Sequence, residues 1–511
     1  MSQETLTRLS RRSLLAGGVA FFASAALAGP QRTLRPVARG GAAAVDVAAV
    51  PTNARPVARK GAVDLIAAAG LAGQVGFVIS DVATGEVLEV VDGGLGRPPA
   101  SVTKALTSVY AMEILGGDYR FETRVLATGP VVDGVLDGDL VLAGGGDPNL
   151  VTDELAQLVT QLSDAGLKQV KGRFLVWGNA LPGLKEIEPG QLDQLGYNPS
   201  LGGLNLNFNR VFFEWAQSGA DYTVSMDARS ETLRPVVKMA RMQIVDRQLP
   251  VYAYAEGVGT DEWTVAKGAL GKAGSRWLPV RFPALYAGDV FRTLAQDAGI
   301  VLPAATLVDD LPVGTQLARF ESVPLTQMLR DMLLYSTNLT AEVVGMTATA
   351  KRFGAAQAMG LSAATMAQWL SERTGMTLHL ADHSGLSDEN RVSGRDMVRL
   401  LNAAGVQAEL QPLMKSIVMV DENRRAIKDF PANVRAKTGT LNFVSTLAGY
   451  LDTDTGRKLS FAIFAYDPEA RTQSLSSQDE LPRGASSFNG KAKKLQQDLL
   501  QRWAVLGRIT G

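Results

Sequence analysis

The stretch Pro99-Ala100-Ser101-Val102-Thr103-Lys104 lies between a Gly-rich loop, Gly93 to Gly96, and an apolar run at 103–115 that reads as a helix. In a helix, residues three apart share a face with Cβ atoms about 5–6 Å apart, so an amine at 104 reaches a hydroxyl at 101. One turn thus offers a nucleophile and a base. A serine hydroxyl attacks only when a base takes its proton, and a lysine serves only when burial or nearby positive charge lowers its pKa. The helix N-terminus adds free N–H groups and a positive dipole end, where negative charge would develop on a substrate carbonyl oxygen. Alone the pattern is weak. At roughly 6% each of Ser and Lys, a chain this long carries about two S-x-x-K matches by chance; the plain alternative is a helix cap beside a solvated lysine.

Two later motifs change the weight of this one. A helix at 325–334 leads into Tyr335-Ser336-Thr337-Asn338 and a further apolar helix from 341, placing a hydroxyl and an amide at a helix–helix junction. S-x-N recurs at Ser487-Phe488-Asn489 and is not specific by itself. Then Arg435-Ala436-Lys437-Thr438-Gly439-Thr440 precedes a strand pair at 445–451 and 458–466. A glycine inside a strand often marks close approach by another backbone, which suits a strand that pairs with a bound peptide.

Upstream, β-branched runs at 74–79 and 87–91 flank Asp81-Val82-Ala83-Thr84-Gly85, a hairpin signature. Between the first two motifs, the stretch 105–335 is too long for a loop and has its own signals: strands at 123–127, 139–143, 172–177 and 222–226, and a helix at 153–165. It reads as an inserted module, mostly β and possibly of two parts, spanning 122–312. Gly144-Gly145-Gly146-Asp147-Pro148 lacks the Lys-Ser/Thr of a phosphate cradle and reads as a turn. Asp382-His383-Ser384-Gly385-Leu386-Ser387 reads as a polar turn, and Ser393 to Asp396 as a capping box opening a helix to 401. Asp147, Asp382 and His383 are taken as turn formers, and Glu342 as support for its helix. An amphipathic helix at 492–506 closes the chain.

The 511 residues suffice for two or more cores, and 51 Lys+Arg against 51 Asp+Glu give no reason to expect a nucleic-acid partner. The absence of cysteine excludes a thiol nucleophile and a disulfide frame. His379 and His383 are the two histidines and lie outside an H-E-x-x-H frame, so neither a metal nor another cofactor is expected. Residues 1–28 read as an export signal, with Arg8, Arg11 and Arg12, an apolar run at 14–27 and Ala26-Leu27-Ala28 as cleavage site. Ser10-Arg11-Arg12-Ser13-Leu14-Leu15 resembles the twin-arginine export motif, without its usual Phe and Lys. The Ala/Pro/Arg-rich 29–60 reads as a disordered linker. The expected address is the periplasm, with no membrane span once the signal is removed.

S-x-x-K, S-x-N and K-T-G in that order resemble the active-site serine penicillin-recognising enzymes. The long insertion makes the chain similar to the low-molecular-mass class C penicillin-binding proteins, the D-alanyl-D-alanine carboxypeptidase/endopeptidases, from about residue 61 to the C-terminus. Ser336-Thr337-Asn338-Leu339-Thr340-Ala341-Glu342 and Ser384-Gly385-Leu386-Ser387 share in the likeness; His383 departs from it, since a small residue is usual there. The resemblance implies an α+β transpeptidase-like fold, a five-stranded antiparallel sheet flanked by helices, split into 61–121 and 313–511 around the insertion. It further implies peptidoglycan stem peptides ending in D-Ala-D-Ala as substrates and β-lactam antibiotics as inhibitors. Ser101 would be the nucleophile, Lys104 its base, Ser336 the proton relay and Asn338 the group holding Lys104 and substrate in register. Lys437 and Thr438 would bind the terminal carboxylate, with Gly439 and Thr440 along the substrate; the N–H groups of Ser101 and Thr440 would form the oxyanion hole. A β-lactamase on the same scaffold and a non-catalytic wall-binding protein are the competing expectations.

Overall fold

The computed structural model describes residues 61–477 and 479–509. The expected export signal and linker lie outside the described residues. Among those residues no helix is long and apolar enough to cross a membrane.

Two distant parts of the chain share one sheet. The hairpin strands form at Gln74–Asp81 and Val87–Val91, and the first pairs antiparallel with Lys458–Tyr466, with Phe77 opposite Ile463. The order across the sheet is Lys415–Ser416, Ala432–Leu441, Val444–Thr453, Lys458–Tyr466, Gln74–Asp81, Val87–Val91. The expected five-stranded sheet is therefore present with a sixth, two-residue strand added at the K-T-G edge. One face is covered by the C-terminal helix Ala485–Ile509, whose buried Trp503 packs against Phe77 and Phe461 at ring separations of 5.4 and 5.9 Å. Burying such a ring removes on the order of 150–250 Å² from water, so this helix anchors the sheet. On the other face Thr103–Leu115 is buried from Thr103 to Ala111, including Lys104, Thr107 and Ser108. A helix buried all round must satisfy its polar groups internally: the Ser108 hydroxyl donates to the Lys104 carbonyl (2.7 Å) and Thr107 to that of His383 (2.6 Å).

The inserted region builds a five-stranded sheet, ordered Ala305–Leu307, Phe174–Trp177, Leu140–Gly144, Glu122–Ala127, Thr315–Glu321. Its last strand pairs with its first, Glu321 opposite Glu122, so this sheet runs beyond the expected limit at 312. The sequence carries no local signal that 315–321 belongs to this sheet, because its partner strand lies nearly 200 residues upstream. Helices Thr152–Asp164 and Pro283–Asp297 pack on this sheet, and two three-stranded sheets follow from Arg210–Ser218 onward. The three-glycine turn is a packing device: a Cβ at Gly144 would sit 2.4 Å from the Gly203 carbonyl oxygen, and one at Gly145 2.4 Å from that of Glu122.

Candidate active site

Ser101 lies in a single 3-10 turn, Ala100–Val102, that feeds directly into the buried helix. The residue before it, Ala100, is held at φ 46°, a conformation an L residue adopts at a cost of about 1–3 kcal/mol and keeps only when its surroundings dictate it. Those surroundings are two glycines. A Cβ at Gly385 would lie 1.9 Å from the Ala100 carbonyl oxygen, and one at Gly439 2.1 Å from Thr446 Oγ1 and 2.9 Å from the Pro99 carbonyl oxygen. Thr446 locks the same point by donating to the Pro99 carbonyl at 2.7 Å. The glycine of K-T-G thus admits the chain's own nucleophile loop, whereas the strand glycine had suggested approach by a bound peptide.

Lys104 is fully buried and its ammonium is ringed by acceptors: Ser101 Oγ at 3.0 Å, Asn338 Oδ1 at 2.7 Å and the Ser384 carbonyl at 2.8 Å. Burial drives its pKa down to about 7 against the pull of Asp382 and Glu342. An amine that exchanges its proton near neutrality, within hydrogen-bond reach of a hydroxyl, is suited to general-base work. Ser336 ends the helix Leu325–Tyr335 in a left-handed conformation (φ 63°), and Asn338 begins the helix Asn338–Phe353. That sharp junction turns both side chains to one side. Ser336 Oγ accepts from Lys437 Nζ at 3.0 Å, and Lys437 also donates to the Thr438 carbonyl at 2.7 Å. Lys437 is 1% exposed and held well below the usual lysine range, first by burial and then by Lys104 and Lys415. Thr438 and Thr440 are half-buried on the same strand, with Gly439 buried between them. Ser101, Lys104, Ser336, Asn338 and Lys437 are therefore linked through two lysine-centred sets of hydrogen bonds.

Behind Lys104 stands a layer that sequence reasoning undervalued. Glu342, fully buried, accepts from the backbone N–H groups of His383 (2.9 Å) and Ser384 (2.8 Å), fixing the peptide whose carbonyl receives Lys104. Its carboxyl is pushed up by burial and by Asp382. Asp382 does form the expected turn, accepting from Gly385 N, Ser387 N and Asn390 Nδ2, and it also faces Lys104 electrostatically. His383 is buried with its Nε2 at 2.8 Å from Ser362 Oγ, and burial depresses it to about 3, so it stays neutral. Its bulk is admitted by Gly345, where a Cβ would lie 2.4 Å from the imidazole. The unusual histidine and this helix glycine fit as a pair.

The inserted region supplies one further contact, which no motif signalled. Asn338 Nδ2 donates to the Tyr197 carbonyl at 2.8 Å. Tyr197 is held by its neighbours: Asn198 Oδ1 accepts from Ile187 N and Glu188 N at 2.9 Å each, and Arg281 reaches the carbonyls of Lys185, Asp193 and Asn198. A main-chain acceptor has no sequence signature, which is why it was missed.

The model of the D-Ala-D-Ala carboxypeptidase 3 (S13) family matches residues 61–482. The chain belongs to that family. It is a serine peptidase of the D-Ala-D-Ala carboxypeptidase type. Among curated relatives, it is 26% identical over 410 residues to D-alanyl-D-alanine carboxypeptidase DacB of Haemophilus influenzae, covering 76% of this chain and 85% of that protein. It is 27% identical over 425 residues to a D-alanyl-D-alanine carboxypeptidase of an Actinomadura species, covering 76% and 77%. Among solved structures, penicillin-binding protein 4 of Haemophilus influenzae shares the fold of this S13 chain, with TM-score 0.69 and 20% identity over 86% of this chain and 99% of that one.

Proposed function

We propose that this S13 chain acts outside the cytoplasm on peptidoglycan stem peptides ending in D-Ala-D-Ala, through an acyl-enzyme on Ser101. Lys104 Nζ takes the Ser101 proton as Oγ bonds to the penultimate D-Ala carbonyl carbon. The C–N bond then breaks as the proton gained by Lys104 is relayed through the Ser336 hydroxyl to the leaving amine, which returns Lys104 to its neutral form. Lys437 and Thr438 hold the terminal carboxylate, with Gly439 and Thr440 beside the substrate. The N–H groups of Ser101 and Thr440 receive the oxyanion, where one donor is typically worth ~2.7–4 kcal/mol of barrier. Water releases the acyl group by the same base. The observation that carries this reading is a fully buried Lys104, lowered to about 7 and 3.0 Å from Ser101 Oγ. The related Haemophilus influenzae penicillin-binding protein 4 has been solved with a β-lactam bound, which supports β-lactams as inhibitors here. We read 61–121 and 323–511 as one catalytic unit, 122–322 as the insertion, and the N-terminal signal as leading to the periplasm.

Intact-mass spectrometry during a penicillin time course, with peptide mapping, tests the site. The expected result is a lasting adduct on Ser101, absent in Ser101→Ala, together with release of D-Ala from a pentapeptide. Penicillin destroyed without a lasting adduct would replace this reading by a β-lactamase. Absence of both adduct and turnover would leave a wall-binding protein.

A further inference from the structure

Beside the lysine-centred site, on the same face of the sheet, lies a cavity of about 950 Å³. Its walls include Arg330 and Leu334 from the helix that ends at Ser336, Arg435 from the K-T-G strand, and Asp452 and Lys458 from the next two strands. Side chains alternate along a strand at about 3.4 Å per residue, so Arg435 and Lys437 share a face about 7 Å apart. Tyr450, opposite Arg435, sends its hydroxyl to the Leu401 carbonyl (2.8 Å) and packs in the same core as the Thr103–Leu115 helix, which places this on the face away from the C-terminal helix. The charge in the cavity is unbalanced. Arg330, Lys415, Arg435 and Lys458 line it with Asp452 as the one carboxylate. Among the described residues Arg330, Lys415 and Lys458 make no ion pair, and Arg435 reaches only main-chain carbonyls, that of Met414 at 3.3 Å and that of Pro412 at 3.5 Å.

The direction of the substrate decides what this cavity meets. With the oxyanion at Ser101 and Thr440 and the terminal carboxylate at Lys437, the leaving group lies toward Lys437 and would continue toward Ala436 and Arg435. There the strand edge is occupied, because Lys415–Ser416 pairs with Ala436 and Arg435. A longer leaving group cannot extend as an added strand at that point and must turn off the edge, whose residues Lys415, Ser416 and Arg435 also line the cavity. Free D-alanine would fill little of it; 950 Å³ is near the upper end for small-ligand sites, which span about 300–1,000 Å³.

We propose that this cationic cavity is the binding site for the leaving strand of a cross-linked wall peptide, taking its free carboxylates on Arg330, Arg435 and Lys458 and so favouring endopeptidase cleavage. The proposal rests on the D-Ala-D-Ala reading above. No new bond chemistry is involved: the same acyl transfer releases a peptide amine in place of D-alanine.

The test compares a synthetic cross-linked stem-peptide dimer, a monomer ending in D-Ala-D-Ala and penicillin, in wild type and the Arg330→Gln/Lys458→Gln double variant. Both positions are exposed and outside the catalytic set. The expected result is a KM for the dimer raised about tenfold, kcat held within about twofold, and monomer cleavage and penicillin acylation unchanged within about twofold. In wild type, amidating the carboxylates of the leaving strand should raise KM similarly, a readout that does not depend on the variant folding. Equal effects on dimer and monomer, no effect on the dimer, or a wild type that trims monomer without cleaving dimer would overturn the cavity assignment while sparing the carboxypeptidase reading. Failure of wild type on the monomer, with no Ser101 adduct, would instead remove the reading on which it stands.

Discussion

Lys104 and Lys437 are both buried, both lowered, and both bonded to a serine hydroxyl, yet their surroundings differ in sign. On the helical side, Lys104 faces Asp382 and Glu342, carboxyl groups the fold supplies itself. On the strand side, the charges acting on Lys437 are Lys104 and Lys415, both cationic. A buried charge is costly unless paired, and in the proposed function the terminal carboxylate of the substrate would supply the counter-charge that this wall lacks. The contrast fits the proposed division of roles, in which the helical wall would manage a proton and the strand wall would receive a carboxylate.

The largest expected effect breaks the pairing outright. Lys104→Ala removes the base and leaves Asn338 Oδ1 and the Ser384 carbonyl without their donor, so penicillin acylation of Ser101 should fall by about 10³-fold or more by stopped-flow or mass kinetics. Lys437→Ala should act mainly through binding, raising KM for a D-Ala-D-Ala peptide by roughly 10–100-fold, the worth of a hydrogen bond to a charged group. If both variants lower acylation equally and leave KM alone, the division between the walls is wrong.

Titration sharpens the same comparison. Lys104 must be neutral to accept a proton, so acylation should lose about tenfold per pH unit below its value of about 7. Lys437 must be charged to hold a carboxylate, so its contribution to affinity should fade as pH rises through its lowered pKa, the opposite sign. In Glu342→Gln a neighbouring carboxyl is lost; the Lys104 pKa should drop further and the acid limb should move to lower pH. An unmoved limb would assign the compensating charge to Asp382 alone.

A smaller effect is expected deeper in the helical wall. Gly345→Ala forces a methyl onto the His383 ring and should cost about 1–3 kcal/mol in denaturant unfolding, the usual penalty of overpacking. Adding His383→Ala should recover part of that loss in a double-mutant cycle. Strict additivity would mean that the two residues are not a fitted pair.

Local elements were legible because their causes are local. The hairpin around Asp81, the helix Thr103–Leu115 and the strand pair Val444–Thr453 and Lys458–Tyr466 follow from turn residues and apolar periodicity. Ser101 and Lys104 were readable for the same reason, being one helical turn apart. Ser336, Asn338 and Lys437 were readable only as motifs, since nothing in their spacing brings residues 336 and 437 within 3.0 Å of each other. Sequence alone, then, determined the three motifs, their order, and the long stretch with its own strand and helix signals between the first two. Tertiary structure decided the rest. It pairs Gln74–Asp81 with Lys458–Tyr466, extends the inserted sheet to Glu321, and carries the Tyr197 carbonyl to Asn338. It also sets the Lys104 pKa and brings four cations around one cavity. The physical reason is common to all of these: main-chain acceptors, burial and charge balance depend on what packs against a residue, and residues far apart in the chain supply that packing.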